Sequence, residues 1–302
     1  MPLHLDTPLL RSTALSALTG AEIWLKMDAL QPSGSFKLRG MGQACQTAIR
    51  DGATRLVSSS GGNAGLAVAC AGRALGVPVT IVVPRRTSAL MRDRIAAEGA
   101  QVVVHGEVWD DAHQHALGLE GALIHPFDHP QVWAGHASLI DEVAQAGLRP
   151  DVVVVSVGGG GLLAGLCQGM QGQGWHEVPI LAVETEGADS YARAVEAGGL
   201  VTRPSIDSIA LTLGAKTVCH EAWAWSLRRP ILPVRVSDTS ALRACRSFLN
   251  DHRVLVEPSC GASLSLAYEG HAALKGRVLM VVCGGAAATL EALQAWEAQV
   301  LP

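Results

Sequence analysis

The sequence predicts an α/β fold, a largely parallel sheet covered by helices on both faces, and three observations carry that expectation. Short β-branched runs alternate with longer amphipathic or Ala-rich stretches through the middle and end of the chain. Runs such as Val152-Val-Val-Val155 are apolar at every position, as strands buried on both faces require. No internal repeat, low-complexity tract or long charge run interrupts the alternation, so right-handed crossovers are the expected connections. In chain order, strands are expected at Arg55–Ser58, Val77–Val83, Gln101–Val104, Ala122–His125, Asp151–Val157, Pro179–Glu184, Ile231–Val236 and Arg277–Cys283. Helices are expected at Asn63–Leu75, Ser88–Glu98, Val108–Leu119, Gly161–Met170, Ser240–Asp251 and Ala288–Ala298.

Composition bounds the function. The 302 residues suffice for two domains of about 150 residues each. With 49% hydrophobic and 17% charged residues, a large core is available and wholesale disorder is excluded. A formal charge of −4 argues against a nucleic-acid or anionic-membrane surface. No apolar run reaches the ~18 residues of a membrane span, and Met1–Arg11 has no basic start followed by an apolar stretch, so no secretion signal is expected. The 7 cysteines, an odd number without a CxxC pair, suit reduced thiols and a cytoplasmic location. With 33 glycines against 4% aromatics, close backbone approaches should matter more than aromatic platforms. Asp128-His-Pro130 and Gly147-Leu-Arg-Pro150 are the candidate punctuation points between units.

Four segments concentrate chemistry. In Gln31-Pro-Ser-Gly-Ser-Phe-Lys-Leu-Arg-Gly40 a single lysine stands between small polar residues and a helix-compatible stretch. Lys37 reads either as a surface lysine at a helix start or as an amine kept neutral in a confined site for covalent chemistry. Gly158-Gly-Gly-Gly161 follows an apolar strand and precedes a helix start, where free amides attract an anion; a tetraglycine is also a flexible linker. Ser58-Ser-Ser-Gly-Gly-Asn63 also joins strand to helix, as turn and N-cap residues or as a grip for a carboxylate. Cys283 ends an apolar strand, which suits a core thiol. His113 and His115 read as a solvated helix face beside Asp110 and Asp111, and Trp223 and Trp225 as hydrophobic packing. HExxH, P-loop and GxSxG motifs are absent.

Pro32–Gly40 resembles the cofactor-attachment segment of the serine/threonine dehydratases, in the tryptophan-synthase-β-like (fold type II) group of pyridoxal-phosphate enzymes. Ser58–Gly65, Val157–Leu162, Val183–Ser190, Val256–Gly261 and Val281–Gly285 extend the likeness, in the family's order, over nearly the whole chain. The resemblance implies two doubly wound open-sheet α/β domains with pyridoxal 5'-phosphate between them. The large one would comprise residues 1–30 and 129–302, the small one residues 31–128. It implies that Lys37 carries the cofactor and is the catalytic base. Gly158, Gly159, Gly160, Gly161 and Leu162 would hold the cofactor's phosphate, Phe36 and Thr212 cover its ring, Asn63 bond its 3'-oxygen, and Cys283 face its pyridine nitrogen. Ser60, Gly61, Gly62, Asn63 and Ala64 would surround the substrate carboxylate. Glu184, Ala188, Ser190, Leu213 and Ala215 would bind a potassium-like cation.

Two departures stand out: among the resembling enzymes alanine is common at the position of Gly61, and a small residue such as alanine is usual at that of Thr212. Gly61 also lacks the hydroxyl that racemases of this group use as an acid and base. The reaction implied is β-elimination of L-serine, with L-threonine as a second substrate, to pyruvate or 2-oxobutanoate and ammonia. A homodimer is implied, and feedback inhibition by isoleucine is not expected. Alternatives are a threonine-preferring dehydratase or another lyase of this group, a catalytically silent amino-acid or cofactor-binding protein, and a nucleotide-binding α/β protein using Gly158–Gly161.

Overall fold

A computed structural model describes residues 1–300 of the chain. Ten strands form two sheets, and twelve α-helices cover them among the described residues. The strands are β1 (Leu9–Arg11), β2 (Glu22–Lys26), β3 (Leu56–Ser58), β4 (Val79–Val83), β5 (Gln101–Val104), β6 (Ala122–Leu123), β7 (Val152–Ser156), β8 (Ile180–Thr185), β9 (Ile231–Val236) and β10 (Arg277–Val281). The helices are α1 (Thr13–Thr19), α2 (Lys37–Arg50), α3 (Asn63–Leu75), α4 (Ala89–Ala97), α5 (Trp109–Leu117), α6 (Pro130–Gln145), α7 (Gly161–Gly172), α8 (Ser190–Ala197), α9 (His220–Ser226), α10 (Asp238–His252), α11 (Pro258–Tyr268) and α12 (Leu290–Val300).

The larger sheet runs β1-β2-β10-β7-β8-β9 and is parallel except for β1, which pairs antiparallel with β2. The smaller sheet runs β5-β4-β3-β6 and is wholly parallel. β7 and β8 are buried along their whole length, as the unbroken apolar run of Val152–Val155 requires. Each fully buried Val or Leu there contributes about 1.5–3 kcal/mol. The expected strands and helices are all present, with ends shifted by a few residues. Elements outside the expected set are β1, β2, α1, α2, α6, α8, α9 and α11.

Helices α2, α6 and α7 cross closely because glycines line the crossings. A Cβ at Gly40 would lie 2.6 Å from the His136 ring, and one at Gly169 would lie 2.8 Å from the backbone oxygen of Ala137. A buried charge cluster then fixes the first turn of α2. Arg39, with no solvent exposure, donates to Asp28 through Nε at 2.7 Å and Nη2 at 2.9 Å. It also donates to Glu142 of α6 at 2.6 and 2.7 Å. Lys26 of β2, equally enclosed, reaches Glu142 at 2.5 Å, and Thr7 donates to Asp28 at 2.7 Å. Single partners are not removable without leaving a buried charge uncompensated. Arg39 lies two residues after Lys37, so the cluster holds the start of α2 against β2, α6 and the N-terminal segment.

Candidate functional site

Lys37 is the first residue of α2, and the segment before it is stitched to the carboxyl end of β10. The amide of Phe36 donates to the carbonyl of Cys283 at 3.1 Å, and Ser35 pairs with Gly284 in an isolated bridge. The Lys37 amine donates to the carbonyl of Pro126 at 2.7 Å and lies 5.2 Å from the Phe36 ring centroid. Lys37 is partly buried, and loss of solvation at its amine pulls its pKa from 10.5 to about 8. The amine is still mostly charged at neutral pH, but its neutral, nucleophilic form is reached at far lower pH than in a free lysine. The Phe36 ring leans on His136, with 5.0 Å between centroids. Burial beside Lys37 and Arg39 keeps that imidazole neutral.

The tetraglycine is an ordered turn between the carboxyl end of β7 and α7. Gly160 has φ +88°, a left-handed conformation suited to glycine, and a Cβ there would meet Ala222 at 2.6 Å and Val218 at 2.8 Å. Gly159 and Gly161 lie against Phe127, and Gly158 against Leu213, whose Cα would be 2.9 Å from an added Cβ. The backbone is thus packed from behind, and the first amides of α7, those of Gly161, Leu162 and Leu163, have no acceptor within their own helix. Amides and helix dipole together favour an anion in front of the turn.

The carboxyl end of β3 supplies the second loop. Ser59 exchanges a hydrogen bond of 2.8 Å with Nδ1 of His113, and the Gly62 amide donates to the Ser60 hydroxyl at 3.3 Å. Gly61 is shaped by a neighbour, because an added Cβ would overlap the side chain of Thr87. Gly65 is tighter still, since its Cβ position is filled by the Ser60 carbonyl. Ala64 is buried in the first turn of α3. Gly62, not Asn63, is the N-cap of α3, and no side chain caps the helix. This corrects the N-cap reading of Asn63, whose amide is drawn across to the larger sheet. Its Oδ1 accepts the Ala286 amide at 2.8 Å, and its Nδ2 lies 3.2 Å from a Glu257 oxygen.

Glu257 and its partners are what sequence reasoning missed. Thr212, in a 3₁₀ turn (Leu211–Leu213), donates to Glu257 at 2.8 Å, and its methyl lies 3.9 Å from the position a Gly62 Cβ would take. The loops after β3 and β10, the 3₁₀ turn and the start of α11 are therefore joined around one carboxylate. Its only sequence signal was membership of Val256–Gly261.

Cys283 is buried, and hydrogen bonding to Cys260, together with desolvation, raises its thiol pKa well above the ordinary value. It stays a neutral thiol at working pH. Glu184, at the end of β8, accepts the amides of Tyr191 and Ala192, each at 2.8 Å. Burial nonetheless pushes its carboxyl up to about 8. Ser190 has a buried hydroxyl with no hydrogen-bond partner among the described residues. Ala188 bridges back to Thr185, the Asp207 amide donates to the Gly187 carbonyl at 3.0 Å, and the Ala215 amide donates to the Leu213 carbonyl at 2.7 Å. These bonds tie the turn after β8 to Asp207, and Leu213 packs behind Gly158.

The histidines of α5 require a correction. His113 stacks on Trp109 at 4.6 Å and bonds Ser59, while His115 stacks on His105 at 4.2 Å, so neither belongs to a plain solvated face. Trp225 is buried, as expected for packing, with Arg228 over its ring. A recess of about 160 Å³ lined by Thr47, His125, His129 and Gln131 includes neither Lys37 nor the glycine turn.

The family model described as pyridoxal-phosphate dependent enzyme matches residues 1–284. An L-serine dehydratase/L-threonine deaminase of Mus musculus is 44% identical, covering 99% of this chain and 96% of that protein. A serine dehydratase-like protein of Homo sapiens is 46% identical over 94% of this chain and 91% of that protein. The crystal structure of a fungal L-serine ammonia-lyase from Rhizomucor miehei superposes with a TM-score of 0.94 at 36% identity, covering 100% of both chains. The chain belongs to the pyridoxal-phosphate-dependent enzyme family.

Proposed function

We propose that this chain is a pyridoxal-phosphate-dependent L-serine dehydratase that also accepts L-threonine, releasing pyruvate or 2-oxobutanoate and ammonia. The observation that carries the reading is the Lys37 amine, held at the start of α2 with its pKa lowered to about 8 and bonded to Pro126, next to the Phe127 that packs on the glycine turn. Identity above 40% to proteins named L-serine dehydratase/L-threonine deaminase and serine dehydratase-like supports it.

The residues present fit the cofactor. A phosphate suits the turn at Gly158–Leu162, where the packed glycines leave no room for a Cβ and the α7 amides are open. The neutral thiol of Cys283 suits an unprotonated ring nitrogen, because it offers no charge to stabilise a pyridinium. Phe36 and Thr212 would cover the ring, and Asn63 offers a donor to its oxygen. Bound there, pyridoxal phosphate supplies an electron-withdrawing ring that makes the Cα proton of an amino acid acidic.

The protein's own groups then divide the work. The Lys37 amine, neutral above about pH 8, removes the Cα proton of serine. The loop Ser60–Ala64 binds the substrate carboxylate through backbone amides and the Ser60 hydroxyl, which orients the Cα–H bond toward that amine. The C–O bond to the β-hydroxyl then breaks, and the leaving hydroxide takes up one proton, balanced by the one Lys37 removed from Cα, to depart as water. Phe127, packed on the glycine turn, and Phe36 exclude bulk water from the lysine.

A monovalent cation belongs to the same proposal, at Glu184, Ala188, Ser190, Leu213 and Ala215. The orphaned Ser190 hydroxyl and the raised Glu184 carboxyl are the donors that a positive ion satisfies. A large unit of residues 1–30 and 129–302, a small unit of 31–128, a homodimer and a cytoplasmic location complete it. The test is a parallel assay with L-serine and L-threonine, identifying the keto acids by mass. Pyruvate from serine supports the reading. A yellow protein that yields no keto acid from either substrate refutes it in favour of a silent binder.

A further inference from the structure

Glu257 is the N-cap residue of α11, is 3% exposed, and makes no capping bond with that helix. Its carboxylate gathers donors from three other segments instead. Oε1 accepts the Ala287 amide at 2.8 Å, Oε2 accepts the Thr212 hydroxyl at 2.8 Å, and Nδ2 of Asn63 stands 3.3 and 3.2 Å from the two oxygens. Gly285 packs on its methylenes, leaving no room for a Cβ there. Arg94 of α4 binds the Ala286 carbonyl on the far side of the same turn.

Donor and acceptor counting fixes Asn63. Its Oδ1 is committed to the Ala286 amide and one Nδ2 hydrogen to the carboxylate. Flipping the amide would set oxygen against carboxylate and nitrogen against an N–H, making both contacts repulsive. One N–H of Asn63 is left as a free donor, while Oδ1 is held toward the Ala286 amide.

Resting on the pyridoxal reading above, we propose that Glu257 is a positioning residue that holds Asn63 as a donor toward the cofactor's ring oxygen, with Thr212 as the carboxylate's second anchor. Glu257 contacts neither substrate nor the reacting bond. It acts through the Asn63 amide, and thereby on the electron demand of the ring.

The test uses holoenzyme of the wild type and of Glu257→Ala, Glu257→Gln, Asn63→Ala, Glu257→Ala/Asn63→Ala and Glu257→Gln/Thr212→Val. The readouts are the ratio of visible to near-ultraviolet absorbance of the bound chromophore, and kcat and KM for serine. Glu257→Ala is expected to shift the ratio and to lower kcat about 10- to 100-fold with a smaller change in KM. The Ala/Ala pair is expected to be no worse than Asn63→Ala alone, because both changes remove the same restraint. Glu257→Gln recovers most of the loss, since its amide N–H can donate to a rotated Thr212 hydroxyl, and removing that hydroxyl abolishes the recovery. An unchanged ratio and kcat in Glu257→Ala, or additive losses in the pair, overturns the proposal. If Glu257→Ala does not fold, the two glutamine variants decide it by the same readouts. Borohydride labelling of wild-type holoenzyme separates the two levels: no label on Lys37 defeats the pyridoxal reading and this proposal with it.

Discussion

Replacing Gly160 with alanine tests the glycine turn directly. Two independent costs fall on the methyl. The backbone stands at φ +88°, and a left-handed conformation costs a non-glycine residue about 1–2 kcal/mol. The new Cβ would also lie 2.6 Å from Ala222, 2.8 Å from Val218 and 3.0 Å from the Cys219 sulfur. Overpacking of this kind costs about 1–3 kcal/mol. The sum is about 2–5 kcal/mol, or roughly 4–10 °C in the unfolding midpoint of a chain this long. The turn must also shift, so cofactor affinity falls with stability. Gly172, at the other end of α7, is the control: its φ is not positive, nothing lies within 4 Å of an added Cβ, and alanine there should be neutral or stabilising by up to about 1 kcal/mol. Thermal unfolding with and without cofactor, and retained visible absorbance after dialysis, read both effects. If Gly160→Ala matches the wild type in both while Gly172→Ala behaves as expected, the packed-turn account is wrong.

Other expectations follow from the same geometry. Arg39→Met leaves the buried Asp28 without its cation and the partly buried Glu142 with Lys26 alone, and urea unfolding should show a loss of about 3–5 kcal/mol, with unchanged stability as the contrary result. In cofactor-free protein the folded state binds fewer protons at Lys37 than the unfolded chain between about pH 8 and 10.5, so stability should rise with pH across that window. Lys37→Met should remove that rise and add at most about 3 kcal/mol at neutral pH, which urea melts at two pH values will measure. Glu184 has the opposite sign: its folded pKa of about 8 stands above the 4.5 of the free group, so stability falls as pH rises through that interval. A cation at the proposed site would offset the loss, so potassium chloride should raise the melting temperature more at pH 8 than at pH 5, compared with choline chloride at equal ionic strength. Gly61→Ala should lower kcat/KM for serine, and adding Thr87→Ala should restore part of it, because the methyl and the threonine compete for one space.

The sequence made the α/β order legible because the parallel strands are apolar at every position, as at Val152–Val155. β1 and β2 escaped notice for physical reasons. β1 is a three-residue edge strand with its middle and last residues exposed, and β2 ends in a fully buried lysine whose charge disguises a core position. α11 shows no amphipathic period because small residues bury it on all sides. The glycine turn and Lys37 were legible because glycines between strand and helix, and a lysine among small residues at a helix start, have few physical uses. Glu257 was not legible, because its partners are 45 residues away at Thr212 and 194 away at Asn63. Nothing local distinguishes it from a helix cap. His113 read as solvated because charged neighbours in sequence concealed the turn toward Ser59.

The most direct measurement is borohydride reduction of the native holoenzyme, followed by peptide mapping. A pyridoxyl mass increment confined to the peptide containing Lys37, and lost in Lys37→Ala together with the colour, is the predicted result. A label on another lysine, or a Lys37→Ala protein that stays yellow and still makes pyruvate, contradicts it.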